Sequence, residues 1–212
     1  RAFKGRSAVI PSVAIALVGQ VGWNLWGNIA AVLGTQGVNV LLNVFFGPTI
    51  NAAKGVAAQV QSAVSMFIVN VQTAVNPQIT KTYASGEVIH FNRLVFLGAK
   101  LYSFIYLVTA LPVMLEAEYL LDLWLDVPPT HSTVFTQIIL ATLFANAVSG
   151  TLFTAAQASG RVRAYNAILG TVSLLNIPLS WFVLRAGASP ESALLVGLAL
   201  SLVMIPVRVA LV

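Results

Sequence analysis

The 212 residues contain no cysteine. That absence excludes a disulfide framework, a thiolate zinc site and a thiol nucleophile. Charge is nearly missing as well. Asp, Glu, Lys and Arg make up 8% of the chain, against roughly 25% in ordinary soluble domains. With so few charges and 58% hydrophobic residues, the chain cannot cover its surface in water. It can do so in lipid, where apolar side chains are the favoured exterior. The net charge of +5 would point to nucleic acid in a soluble protein. No basic cluster is interleaved with aromatics on a polar face, so no nucleic-acid partner is expected. H-E-x-x-H, G-x-S-x-G and P-loop patterns are all absent. The sequence therefore predicts neither an enzyme nor a cofactor.

What is present is a series of long apolar runs. A crossing helix needs roughly 20 mostly apolar residues. Six stretches qualify: about 20–46, 51–78, 94–115, 132–158, 165–184 and 192–211. The expected fold is an all-α membrane protein, a bundle of six transmembrane helices. The run from Ala8 to Phe46 is too long for one straight crossing, so Val9 to Val18 reads as an interfacial or tilted lead-in. Gly47-Pro48 separates the first two crossings, because proline cannot continue a helix and glycine relaxes the turn. A shorter segment near 118–126 mixes Glu118, Asp122 and Asp126 with Tyr119 and Trp124. It is too short to span and reads as a helix lying at the headgroups. The chain starts with Arg1, shows no signal-peptide pattern and ends inside an apolar run, so it reads as a piece of a longer protein.

Charges set the orientation. Let the side holding the N-terminus be side A and the other side B. Six crossings put Arg1, Lys4, Arg6, Lys81, Arg93, Arg161 and Arg163 on side A. Side B receives Lys54 and Arg185, together with Glu116, Glu118, Asp122, Asp126 and Glu191. Basic residues gather in cytoplasmic loops, so side A, with both ends of the segment, is expected to be cytoplasmic.

Polar residues inside the crossings form two stripes. At about 100° per residue, Gln20, Asn24, Asn28, Thr35, Asn39 and Asn43 fall within an arc of about 140° on the first helix. Lys54, Gln61, Ser65, Gln72 and Asn76 fall within about 60° on the second. An unpaired amide facing lipid costs several kcal/mol, so the stripes are expected to face other helices or water. A single amide reads best as interhelical glue. The two stripes together read as the lining of a hydrated cavity, since glue rarely needs so many. Lys54 and Lys100 each read either as a lysine snorkelling to the interface or as a contact for an anion. Arg208, near a helix end, reads as a snorkelling anchor. His90 and His131 read as solvated loop residues. Asp122 and Asp126 read as the wet face of the interfacial helix.

Several segments carry a family resemblance. GWNLWGNIA (Gly22 to Ala30), TQGVNVLLNVFFGPTINAAKGVAAQV (Thr35 to Val60) and NVQTAVNPQITKTYASGE (Asn70 to Glu87) resemble bacterial oligosaccharide flippases. LVFLGAK (Leu94 to Lys100), LWL (Leu123 to Leu125) and TAAQASGRVRAYN (Thr154 to Asn166) agree. These flippases are the Wzx-type polysaccharide branch of the superfamily that also holds the multidrug MATE exporters and the lipid II flippases. The resemblance implies two six-helix bundles related by a pseudo-two-fold axis along the membrane normal, with an amphipathic cavity between them. This chain resembles the second bundle, and the N-terminal six-helix half is an implied partner. The implied location is the bacterial inner membrane.

The implied activity is movement of an undecaprenyl-pyrophosphate-linked oligosaccharide between leaflets by alternating access, for surface polysaccharides such as the O-antigen of lipopolysaccharide. On that reading Asn24, Asn28, Asn39, Asn43, Gln61, Gln72 and Asn76 would hydrogen-bond sugar. Lys54 or Lys100 would meet pyrophosphate, and the polyprenyl tail would stay among membrane lipid. A MATE-like, cation-coupled exporter of amphipathic small molecules is the alternative; it predicts acids facing the cavity. A membrane-embedded enzyme or assembly partner would need a catalytic carboxylate or histidine. Asp122, Asp126 and His131 are the weak local candidates.

Overall fold

The structure is a computed structural model that describes residues 11–211; no strand occurs among them. Eight helices follow one another: α1 Pro11–Phe46, α2 Pro48–Ala84, α3 Val88–Leu115, α4 Ala117–Leu125, α5 Ser132–Val148, α6 Gly150–Ala158, α7 Val162–Arg185 and α8 Glu191–Leu211. Among the described residues six stretches are long and apolar enough to cross a membrane: Val21–Phe46, Pro48–Ala84, Val88–Leu115, Ser132–Ala158, Val162–Arg185 and Glu191–Leu211. The architecture is the all-α, six-crossing one that composition dictates. Large apolar side chains such as Leu25, Phe67, Phe104, Phe182 and Val203 stand exposed on the outside. A soluble domain rarely tolerates contiguous apolar surface on that scale, whereas acyl chains match it.

Helix ends differ from the apolar runs because backbone hydrogen bonding continues past the last apolar residue. α2 begins at Pro48 rather than Asn51. The missing N–H of proline costs nothing in the first turn, where it has no intrahelical acceptor. α2 also runs through Pro77 to Ala84 rather than stopping at Gln78. Pro77 offers no N–H to the Thr73 carbonyl, which is left without its intrahelical partner. At the turn before α2, Gly47 adopts φ 83 and ψ −176, a region that side chains disfavour. From Pro11 onward α1 is one continuous helix, so the expected separate lead-in is not a distinct element there; Val9 and Ile10 lie outside the described residues. The fourth crossing, expected as one helix, is interrupted at Ser149 and continues as α6.

α4 lies at side B beside α3 and α5. Ala117 and Leu121 are buried, while Glu118, Tyr119, Asp122 and Trp124 are exposed. That split between faces is the pattern of a helix lying in the interface.

Three buried clusters hold the bundle. At the side-B end, Val38 and Leu42 of α1 meet Ile50, Ala53 and Ala57 of α2 over Phe135, Leu184 and Ala193. In the middle, α2, α3 and α5 meet through Val64, Ile68, Tyr102, Tyr106 and Leu140. Toward side A, Ile79 packs with Phe91, Val95, Leu152 and Ala155. α1 instead lies along α7. A Cβ on Gly34 would stand 2.5 Å from the Ser173 carbonyl oxygen, and one on Gly27 would stand 3.0 Å from the Asn166 carboxamide. Small residues let the two backbones approach, which is how membrane helices gain packing energy without a hydrophobic drive.

Candidate functional site

The clusters dictate the shape of the site. α1 and α2 share buried contacts at the Gly47 end. Toward side A, α2 follows α3 and α6, while α1 follows α7. The two amide-bearing helices therefore diverge, and the junction of α5 and α6 lies between them. A Cβ on Gly150 at this junction would come 2.7 Å from Gln72 Nε2, so the glycine makes room for that amide.

On the α2 side of Gly150 lies an open groove of about 490 Å³. Gln72, Thr73, Asn76 and Thr80 of α2 line it with Thr154 and Gln157 of α6. On the other side lies a chamber of about 380 Å³ bounded by Gly27, Asn28, Asn146, Tyr165, Asn166 and Arg208, among others. No carboxylate lines either space among the described residues. The groove offers amide and hydroxyl groups, which suit the many weakly polar groups of a neutral, hydroxyl-rich molecule, whereas the chamber adds the Arg208 guanidinium. Among the described residues no three His, Asp or Glu side chains converge as metal ligands.

The amide stripes divide between the two roles they can play. Asn166 Nδ2 donates to Asn24 Oδ1 at 2.8 Å, joining α7 to α1. The Tyr102 hydroxyl donates to Asn76 Oδ1 at 3.1 Å, joining α3 to α2. Asn39 Nδ2 donates to Gln36 Oε1 at 2.7 Å within α1. Asn28 and Gln72 face the spaces just described. Asn43 is exposed near the Gly47 turn, and Gln61 is half-buried. Exposed Asn28, Thr35, Gln36 and Asn43 share the outer face of α1, and such a face is costly against hydrocarbon.

The lysines part company. Lys54 is buried beside Ala53 and Ala57, with no hydrogen bond or ion pair among the described residues. Lys100 is exposed on the face of α3 opposite buried Tyr102 and Tyr106, among Phe96, Phe104 and Leu107. It is not brought to either space. Arg208 departs from its expected role as an anchor. It turns inward, and Nη1 donates to Asn146 Oδ1 at 3.1 Å. The belt is held by other residues: the Arg163 guanidinium lies 5.2 Å from the Trp23 ring centroid, and that of Arg185 4.9 Å from Trp181. His131 is not a free loop residue; its Nδ1 contacts the Glu191 carboxylate.

Sequence reasoning passed over Thr154 and Gln157 as groove residues, and over Asn146 and Asn166 as partners. Isolated amides in apolar runs, and an arginine inside one, were the available signal.

Six apolar crossings with polar side chains gathered in spaces between helices define a multi-pass membrane protein. The MatE family profile matches residues 25–182, and the chain belongs to that family. Its members are transporters rather than enzymes. No curated protein and no solved structure matches the chain.

Proposed function

We propose that the protein moves a lipid-linked oligosaccharide, carried on undecaprenyl pyrophosphate, across the bacterial inner membrane, with side A cytoplasmic. The observation that carries this reading is the acid-free groove in which Gln72, Asn76, Thr154 and Gln157 converge. A cation-coupled exporter predicts carboxylates facing its cavity, on this bundle or the other, whereas a glycan needs neutral donors and acceptors such as this groove supplies. The motif resemblance described above supports the same substrate class. The polar outer faces of α1 and α2 would meet a second six-helix bundle, the N-terminal half that the resemblance implies. Asn28, Gln72 and Asn76 would contact sugar. Asn24, Asn39, Asn43 and Gln61 would shape or extend that wall. Lys54, at the side-B end of the stripe, is buried within this bundle, so it would meet pyrophosphate only through a rearrangement of the bundle itself.

The test is reconstitution of the full-length protein into vesicles with a lipid-linked oligosaccharide, read by leaflet accessibility to an added glycosidase. Wild type is expected to expose the sugar to the opposite leaflet. Gln72→Leu combined with Asn76→Leu is expected to slow that exposure by about tenfold, the equivalent of one or two lost hydrogen bonds. Unchanged movement in the double variant, or proton- or sodium-driven export of an amphipathic cation with no sugar movement, would overturn the reading.

A further inference from the structure

A second, partly open space lies between α1, α5, α7 and α8. It measures about 220 Å³ and adjoins the chamber at Asn28, sharing Asn146, Ser173 and Arg208 with it. Its polar lining includes Asn146, Ser173, Asn176, Ser201 and Arg208.

Several nitrogen donors among these groups lack a partner among the described residues. Arginine has only donors, so the Asn146 oxygen must face Arg208, and it accepts from Nη1 at 3.1 Å. The Asn146 NH₂ is then left without a partner among the described residues. The Ser180 hydroxyl reaches both the Asn176 oxygen at 3.1 Å and the Ala193 carbonyl at 3.4 Å; with its proton on the nearer Asn176 oxygen, the Asn176 NH₂ has no partner among the described residues. The Ser201 hydroxyl has its proton committed to the Gly197 carbonyl at 2.9 Å. Arg208 Nε is sealed from solvent and has no hydrogen-bond partner among the described residues. The space thus presents the Asn146 and Asn176 NH₂ groups and one positive charge, beside hydroxyls of Thr35, Thr142 and Ser201 whose protons are committed to backbone carbonyls and which can only accept. No Asp or Glu lines it; the acids among the described residues lie in the loops, on α4 and at the start of α8. A cation held in an apolar bundle without a counter-charge is costly, so it recruits one.

We infer that this space binds a small oxyanion of the phosphate type. The planar guanidinium fork of Arg208 matches two oxygens of such an anion, and the Asn146 and Asn176 amides supply further donors. The cavity volume exceeds that of a phosphate ion. The site is separate from the α2–α6 groove and stands whether or not the transported molecule is a glycolipid. Its ligand has two possible sources, a free anion from side A or the phosphate headgroup of a lipid.

The test uses the full-length protein in lipid nanodiscs and equilibrium binding of radiolabelled inorganic phosphate. Gluconate holds the ionic strength constant. Saturable binding near one equivalent per bundle is expected in wild type. Arg208→Gln is expected to weaken it by about tenfold or more, since a charge-assisted bond is lost. Arg208→Lys is expected to keep part of the affinity because the charge remains. If Arg208→Gln fails to fold, Asn146→Leu and Asn176→Leu serve instead; each keeps the cation and is expected to weaken binding about three- to tenfold. Displacement of the label by undecaprenyl phosphate would name the headgroup as the source. Saturable binding that the lipid leaves unchanged would name the free anion. Absence of saturable binding in wild type, or equal affinity in all the variants that fold, would overturn the inference.

Discussion

The Asn166 carboxamide on α7 donates to the Asn24 oxygen on α1 at 2.8 Å, across 142 positions of sequence. This bond lies along the seam where Gly27 and Gly34 bring the same two helices together. Tight backbone approach excludes water, and the amides that remain there must then find one another.

Removing one of the two amides leaves the other unsatisfied. Asn24→Leu and Asn166→Leu are each expected to destabilise the full-length protein by about 1 kcal/mol. The double variant should be less destabilised than the sum, with a coupling of about 0.6 kcal/mol. Thermal unfolding in detergent measures the cycle. Strict additivity would show that the bond contributes nothing.

Gly34 and Gly55 make a controlled pair. A Cβ on Gly34 meets the Ser173 carbonyl at 2.5 Å, whereas one on Gly55 meets nothing within 4 Å. Gly34→Ala is expected to cost about 1–3 kcal/mol through forced separation of α1 and α7. Gly55→Ala should be neutral or stabilising by up to about 1 kcal/mol, since alanine favours the helix. Equal melting temperatures for the two variants would argue against the close seam.

Because the chain has no cysteine, an introduced one labels at a single place within it. Thr73→Cys and Gln157→Cys put a thiol in the open groove. Leu107→Cys puts one on the outer face of α3. A thiol needs water to ionise and react, so a membrane-impermeant maleimide should label the groove positions about tenfold faster. Equal protection of all three would mean that the groove is filled by hydrocarbon.

Lys100 and Gln72 should separate in function. Lys100→Gln is expected to leave transport within about twofold of wild type, because the side chain is exposed on the outer face of α3 and lines neither the groove nor the chamber. Gln72→Leu alone should slow transport several-fold, by the loss of about one hydrogen bond in the groove. The leaflet-accessibility assay reads both. A strong defect in Lys100→Gln would place that lysine in the path of the substrate.

The membrane character, the six crossings and the narrow amide stripes all follow from the chain alone. Transfer into lipid is a sum over local segments, and the helical period fixes which residues share a face of one helix. The interruption at Ser149 was less legible, because Ser149-Gly150 sits in a run whose apolar character continues on both sides. Which neighbour a face meets was not legible at all. Asn24 and Asn28 stand on one stripe, yet the first is spent on Asn166 and the second is left to line a chamber. Lys100 could lie inward or outward by its position in the run, and packing on Tyr102 and Tyr106 turned it out. Arg208 resembled a terminal anchor until α5 placed Asn146 within 3.1 Å of it. Such pairings depend on contacts between helices far apart in sequence. Only the close approach of particular small residues selects among them, and no periodicity within a single helix carries that information.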